Sequence, residues 1–290
     1  MISSLYFLFL GTFGWGISLS LIKFLLLTID PLEIILYRMM IGSFTLVLIL
    51  LFLRIPITNI KRGVLDGLVL GTFNIAIPYY LTTLAEREVP SSLVSILNAL
   101  TPLFTLLIGV YCFPRKKTIN YFIIISVFFG LIGSFLVQTE FYINGQSRLG
   151  FFYTISACLS YAVAANYMSV NQKNHPIVTA TIAAFFSVIL LLAYKLFFQQ
   201  ITHWSFPHSI FQNMALVWLG MIGSGISLYI YCYLLKQKGA VVASSITYLI
   251  TATSVMVGIL LLHEQFSIYS LIGLTLIFIS LISMHITKRS

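Results

Sequence analysis

The chain has 290 residues, of which 59% are hydrophobic and only 8% are charged, whereas about a quarter of the residues in a soluble globular domain are charged. This composition excludes a water-soluble globular protein. The net charge of +9 does not indicate a nucleic-acid partner, because most basic residues fall on one side of the predicted membrane topology.

Ten apolar stretches approach the roughly 20 residues that a helix needs to cross a bilayer. They cover residues 4–28, 31–53, 64–84, 90–112, 119–138, 149–170, 177–198, 212–235, 240–262 and 267–286. Since the loops between them are short, we expect an all-α integral membrane protein of ten transmembrane helices without a soluble domain. The first stretch is longer than a signal-peptide core, so we expect it to be retained as a helix.

The basic residues favour one orientation of these helices. With the N-terminus in the cytoplasm, eleven Lys and Arg residues fall in cytoplasmic segments and two in outer loops. This is the positive-inside pattern. We therefore expect a multi-pass protein of a bacterial inner membrane, with both termini in the cytoplasm.

The sequence repeats itself with a shift of 149 residues, which places the fourth span on the ninth. Small and polar residues recur every three or four positions in both spans, so each set lies on one helical face. The two sets are Ser91, Ser95, Asn98, Pro102, Thr105 and Gly109, and Ala240, Ser244, Thr247, Thr251, Ser254 and Gly258. The same shift pairs a small-or-polar stripe in the third span with one in the eighth.

Two copies of five spans must enter the membrane in opposite orientations, because five is odd. Inverted repeats of this kind are typical of secondary transporters, whose substrate site lies near the membrane midplane between the repeats. We expect residues 1–140 to form the first five-helix repeat and residues 141–290 the second, inverted repeat, around a central cavity.

Polar and aromatic side chains at mid-membrane depth are the candidates for the cavity wall. Polar groups are tolerated there when they face protein or a water-filled cavity, although a single small residue more often serves helix packing. Aromatic rings stack on flat or cationic solutes. The candidates are Trp15, Ser18, Arg38, Asn74, Tyr79, Asn98, Thr101, Tyr161, Ser227, Thr247, Tyr248 and Thr251. We expect Pro78 and Pro102 to bend their helices.

Three cations fall within predicted spans, where a charge costs about 2.5–3.5 kcal/mol at the bilayer centre. Lys23 is close enough to the outer interface to snorkel, with Asp30 and Glu33 as counter-charges. Lys195 is also expected to snorkel. Arg38 lies deeper, and two roles remain open: it binds an anionic group of the solute, such as a carboxylate, or it is a structural cation tied to helix-end carbonyls.

Several short motifs, taken in order and spacing, resemble the drug/metabolite transporter superfamily in its two-repeat EamA branch. They are Trp15–Gly16, Lys23 seven residues after that glycine, Pro31 and Arg38 seven residues apart, TPLFTLLIG from Thr101 to Gly109, and HEQFS with Glu264. The resemblance covers nearly the whole chain and implies ten helices, inverted halves and a central cavity lined mainly by spans one, three, four, six, eight and nine. It also makes Lys23 and Glu264 candidates for a charge role.

Two positions depart from the family pattern. Thr251 stands where the second repeat usually has proline, which changes how the ninth helix is expected to bend. Arg115 stands in the first repeat where the second repeat has Glu264.

We expect a secondary transporter that moves a small metabolite, such as an amino acid or a related compound, by alternating access, with export as one direction. Uptake or exchange of a nucleotide-like or sulfonium metabolite, and export of cationic drugs, remain alternatives. A non-transporting membrane scaffold is the alternative from another class. Since no carboxylate lies deep in a span, a gradient-driven facilitator or exchanger is favoured, and proton coupling remains open.

An enzyme is not expected. The sequence contains no Walker motif, no HExxH pair and no GxSxG motif. The three cysteines are interpreted as apolar filler, and neither a metal nor a cofactor is predicted. The expected partners are a small-molecule solute and the lipid bilayer, for a monomer or a homodimer.

Overall fold

The computed structural model describes residues 2–56, 60–113, 125, 128–133, 135–136, 148–198, 204–263 and 267–286. These segments are helices joined by short turns, and no strand occurs within them. The prediction of an all-α membrane protein is confirmed.

Eight helices of the described segments are long and apolar enough to cross a membrane. They are α1 (Ser4–Leu25), α2 (Pro31–Leu53), α3 (Gly63–Glu88), α4 (Ser91–Tyr111), α5 (Arg148–Asn171), α6 (Pro176–Phe198), α7 (Ile210–Lys238) and α8 (Ala240–Leu262). A further apolar helix, α9 (Ile268–Ile286), follows them. The nine correspond to predicted spans one to four and six to ten, whereas the fifth predicted span, 119–138, lies largely outside the described residues.

Three helices contain a π-helical stretch, a feature that is frequent at functional sites. The stretches are Leu10–Gly14 in α1, Gly71–Ala76 in α3 and Leu219–Ile226 in α7. The α-helical parts around them are Ile2–Phe9 and Ser18–Leu25, Ile60–Leu70 and Ile77–Glu88, and Ile210–Trp218 and Ser227–Lys238. The 149-residue shift places the α3 stretch inside the α7 stretch, so the π geometry belongs to the repeat.

Helices α4 and α8 are each interrupted near their N-terminal ends. The α4 segments are Ser91–Asn98 and Thr101–Tyr111, and the α8 segments are Ala240–Ser244 and Thr247–Leu262. Pro102 and Pro78 both lie in the first turn of a helical segment, where the missing N–H of proline costs little. Helix α8 contains no proline, and its interruption therefore has another cause.

The two halves run in opposite directions through the bundle. Helices α2 and α6 are the second spans of their repeats, yet Glu33 in the first turn of α2 lies 2.5 Å from Lys195 in the last turn of α6. Equivalent helices are therefore antiparallel, as an inverted repeat requires. We call the end of the bundle with this contact and the α1–α2 and α3–α4 turns the Asp30 end, and the opposite end the Lys238 end.

Glycines allow close helix contacts at equivalent places in the two halves. A Cβ atom on Gly42 of α2 would lie 2.8 Å from Ser224 Cβ of α7. A Cβ atom on Gly71 of α3 would lie 2.6 Å from the carbonyl oxygen of Ala183 in α6. The pairs α2–α7 and α3–α6 thus pack backbone against backbone and hold the helices that surround the centre of the bundle.

Candidate substrate cavity

A cavity lies near the middle of the helix bundle. With its open mouth included, it has about 750 Å³ of empty space. Nine of the twelve sequence candidates line it: Trp15, Ser18, Arg38, Asn74, Tyr79, Asn98, Thr101, Tyr161 and Thr247. The cavity is also lined by residues that were not among the twelve candidates, although Ser244 belongs to the repeated stripe of the ninth span and Thr82 and Tyr231 to the stripes of the third and eighth: Leu19, Ile22, Thr82, Tyr231, Ser244, Ile246 and Ile250. Helices α1, α3, α4, α5, α7 and α8 form the walls, and α2 contributes Arg38.

Arg38 is the cation of this cavity. Its side chain is buried, with 3% relative exposure, and its Nε donates a hydrogen bond to Ser224 Oγ over 2.9 Å. The guanidinium carbon lies 4.4 Å from the centre of the Tyr79 ring, within cation–π range. Among the described residues no carboxylate lies within 4 Å of the guanidinium, although the buried Glu86 acts on it electrostatically from farther away. Arg38 therefore borders the cavity without a carboxylate in direct contact.

The π-helical stretch of α7 holds a second cavity side chain. Trp15 Nε1 donates to the carbonyl oxygen of Gly223 over 2.7 Å, one residue before the serine that accepts from Arg38. The indole ring also packs edge-on against Tyr231, with 5.2 Å between ring centres. Adjacent residues of α7 thereby orient two side chains from the other repeat.

Hydrogen-bonding groups of the cavity wall are incompletely used. Asn74 Oδ1 is buried, with no hydrogen-bond partner among the described residues, and the hydroxyl oxygens of Thr82 and Thr101 are buried beside Tyr161 and Cys158 without a well-formed hydrogen bond. The Cys158 thiol donates to Asn98 Oδ1 over 3.4 Å. Since buried polar groups are normally satisfied, unused ones around a cavity indicate a place for water or a polar solute.

Three sequence candidates lie at helix contacts and do not line the cavity. A Cβ atom on Gly14 would lie 2.3 Å from Ser227 Oγ, which places this serine in the α1–α7 contact. The Tyr248 ring packs toward α9. Thr251 Oγ1 donates to the carbonyl oxygen of Ser95 over 2.7 Å. Thr251 lies one turn beyond Thr247, where α8 already packs against α4, and this explains why it is excluded from the cavity.

Lys23 extends toward the Asp30 end of the bundle, where its ammonium reaches the end of a neighbouring helix. Its Nζ donates to the carbonyl oxygens of Glu86 (2.5 Å) and Val89 (3.0 Å) at the C-terminal end of α3. A cation is favourable there because the helix dipole leaves that end partially negative. Its expected counter-charge Asp30 accepts from the backbone at the N-terminus of α2 and serves as the cap of that helix.

The expectation that Lys195 snorkels is wrong, because its side chain is buried and pairs with Glu33. Lys195 is 3% exposed, pairs with Glu33 Oε1 over 2.5 Å and lies 4.3 Å from the centre of the Trp204 ring. Glu33 Oε2 accepts hydrogen bonds from the backbone N–H and the hydroxyl of Ser205. The 204–205 segment, which precedes α7, folds onto α2, and helix periodicity does not reveal such a contact.

Two charged residues of the sequence analysis, Arg115 and Glu264, lie outside the described residues. Their expected roles stay predictions.

A second cleft lies at the Lys238 end, between α4, α5 and the start of α8. With its opening included, it has about 620 Å³ of empty space, and its lining includes Asn166, Ser169 and Lys238. Ala240 borders this cleft, whereas Ser244, at the other end of the same short helical segment, borders the cavity. The segment Ala240–Ser244 therefore stands between the two spaces.

Among known proteins, two relatives that match most of this chain are described as transporters. The uncharacterized transporter YoaV of Bacillus subtilis (strain 168) is 24% identical over 272 residues, which cover 92% of this chain and 91% of that protein. The uncharacterized transporter in the trpA 3′ region of Buchnera aphidicola subsp. Schlechtendalia chinensis is 24% identical over 249 residues, which cover 83% and 79%. One crystal structure of a protein has the same fold, with a TM-score of 0.65 at 15% identity over 92% of this chain and 95% of the other.

The family comparison covers almost the whole chain. Residues 2–139 and residues 148–285 each match the EamA-like transporter family. The two matches repeat along the chain, as the 149-residue internal similarity predicts. The chain therefore belongs to the EamA-like transporter family.

Proposed function

We propose that the protein is a secondary transporter that carries a small metabolite with an anionic group, such as an amino acid, across a bacterial inner membrane by alternating access. Arg38 carries this proposal. It is the one charged side chain among the described residues that line the cavity, and none of the described carboxylates lies within 4 Å of its guanidinium. A guanidinium binds a carboxylate or a phosphate through two parallel hydrogen bonds.

The other walls support a solute with a polar end and an apolar or flat body. Asn74, Thr82 and Thr101 offer hydrogen-bonding atoms, while Leu19 and Ile22 offer an apolar surface. A non-transporting scaffold does not account for a buried cation at the wall of a central cavity, because burying a charge without a carboxylate in contact costs free energy. Export of cationic drugs fits poorly, since no carboxylate belongs to the described lining.

A carrier for a nucleotide-like solute is the second candidate. Arg38 suits a phosphate as well as a carboxylate, and the rings of Trp15, Tyr79, Tyr161 and Tyr231 suit a base. The two candidates share the anion and differ in the body of the solute.

Orientation follows from the distribution of charge. The positive-inside rule places the Lys238 end and both termini in the cytoplasm. The cleft at that end, together with the packed Asp30 end, supports a form that is closed toward the outside.

The test is a thermal-stability screen of purified protein with compounds in matched sets. Each amino acid is compared with its amide and its decarboxylated amine, and each nucleoside monophosphate with its nucleoside. A ligand at 100 times its Kd adds about 2.7 kcal/mol to the stability of the form that binds it. We expect stabilisation by acids and not by the matched amides or amines. Stabilisation by amines alone, or by no acid of the panel, contradicts the proposal.

A further inference from the structure

A cluster of charged and aromatic side chains joins the two repeats at the Asp30 end. It consists of Glu33, Lys195, Trp204 and Ser205, and we call it the latch. Lys195 contacts Glu33 Oε1 over 2.5 Å and the Trp204 ring over 4.3 Å, while Ser205 donates to Glu33 Oε2. The relative exposures of the two charged side chains are 4% for Lys195 and 2% for Glu33.

The latch lies on the interface between α2 and α6. These two helices are equivalent in the two inverted repeats, so the internal symmetry exchanges them and maps one end of their interface onto the other end. Superposing the prolines that open these helices, Pro31 and Pro176, places Glu33 on Val178 and Lys195 on Leu50. The same interface therefore has an apolar counterpart of the latch toward the Lys238 end. Val178 belongs to the main hydrophobic core there, and Leu50 packs against that core.

This difference makes the two ends of the interface unequal in energy. Parting the buried pair gives up its Coulomb attraction, which is stronger at a buried site than in water, together with the hydrogen bond from Ser205 to Glu33 and the contact of Lys195 with the Trp204 ring. Parting two aliphatic side chains costs only the exposure of their apolar surface. Between otherwise equivalent ends, the one with the ion pair is harder to open.

We propose that the latch biases the transporter toward the form that is closed at the Asp30 end, and that Glu33 and Lys195 separate each time this end opens to the solute. The proposal rests on the alternating access proposed above. It assigns a conformational role to two buried charges that do not line the cavity.

The experiment measures access to the cavity without a solute. Ile22, which lines the cavity at 2% exposure, becomes the reporter Ile22→Cys in a background that lacks Cys112, Cys158 and Cys232. A membrane-impermeant thiol reagent is applied to each face of sealed, oriented vesicles. Monodisperse behaviour and a cooperative melting transition are required of every variant.

Three latch variants are compared. The paired substitution of Glu33→Gln with Lys195→Met removes both charges and avoids the unpaired charge that either single change would leave. We expect it to speed labelling from the Asp30 face roughly tenfold, because the labelling rate follows the fraction of molecules that are open at this end. The charge exchange Glu33→Lys with Lys195→Glu should return the rate only part of the way to that of the native pair, because it restores the opposite charges but leaves the Ser205 N–H without its carboxylate acceptor. Leu50→Met, at the equivalent apolar position, is the matched control and should leave the rate unchanged.

The outcomes separate the latch from the proposed function. If the reporter is labelled from both faces, and the labelling rates are the same in the native protein and in the Glu33 and Lys195 variants, the latch alone is overturned. Labelling confined to the Lys238 face in every variant would overturn the latch together with the alternating access on which it rests.

Discussion

Arg38 and Ser224 are joined by a hydrogen bond of 2.9 Å from Nε to Oγ, and this contact links a cation of the first repeat to the π-helical stretch of the second. The preceding residue, Gly223, accepts from Trp15, another side chain of the first repeat. The geometry of the cavity wall is thus set by contacts between the halves. A movement of one half relative to the other changes the wall directly.

Ser224→Ala should weaken the binding of an anionic solute while leaving the helix contact in place, because alanine keeps the Cβ atom. A hydrogen bond to a charged group contributes about 1.5–3 kcal/mol, so we expect affinity to fall roughly 10- to 100-fold. Titration with the acid that stabilises the native protein measures this change. Ser227→Ala is the control on the same helix, because its buried hydroxyl has no partner in the described residues and does not line the cavity. Equal losses in both variants would contradict a positioning role for Ser224.

Lys23→Gln and Arg38→Gln should have different effects on the stability of the solute-free protein. Lys23 binds two carbonyl oxygens at the end of α3, so its loss should cost about 1–3 kcal/mol. Arg38 is a buried cation with no carboxylate within 4 Å among the described residues, so relief of its desolvation offsets the lost hydrogen bond to Ser224, and its neutralisation should cost less than the loss of Lys23. Chemical denaturation in detergent compares the two. If Arg38→Gln proved the more destabilising change, Arg38 would be the structural cation instead.

Gly42→Ala should loosen the contact between α2 and α7. The added Cβ would lie 2.8 Å from Ser224 Cβ and 3.1 Å from the carbonyl oxygen of Gly220, a crowding that costs about 1–3 kcal/mol. The melting temperature should fall accordingly. Met40→Leu is the control, since Met40 lies on the same helix with 49% of its surface exposed. A melting temperature unchanged by Gly42→Ala would show that the two helices are not packed this closely.

A membrane-impermeant thiol reagent should label one cysteine of the native chain, and only from the cytoplasmic side. Cys112 is exposed at the Lys238 end of α4, whereas Cys158 and Cys232 have no exposed surface. Cys112→Ser should abolish the labelling. Modification from the outer side would reverse the orientation that the positive-inside rule predicts.

Much of the cavity wall follows from local sequence patterns. The internal repeat identifies Asn98 and Thr247, because small and polar residues at helical spacing recur in both halves. Arg38 stands out as a charge within an apolar span. These signals are local, and the structure places all three residues at the cavity. Whether they bind solute stays a prediction.

Other parts depend on contacts between distant segments, and no local pattern reveals them. Lys195 looks like a snorkelling residue because it lies near the end of an apolar span, and only the folding of Trp204 and Ser205 onto α2 buries it. Thr251 shares the spacing of Thr247, yet its hydroxyl is used by the backbone of α4. Ile246 lines the cavity because α8 is interrupted at this residue. The sequence of α8 contains no proline from which this interruption could be predicted.

Exchange of a radiolabelled acid across proteoliposome membranes, using a compound that stabilises the purified protein, tests the central claim most directly. The native protein should exchange this acid with saturation, and the folded Arg38→Gln variant should do so with a much higher half-saturation concentration or not at all. Equal exchange by the two proteins, or none by the native one, would contradict the assignment of this cavity as the transport site.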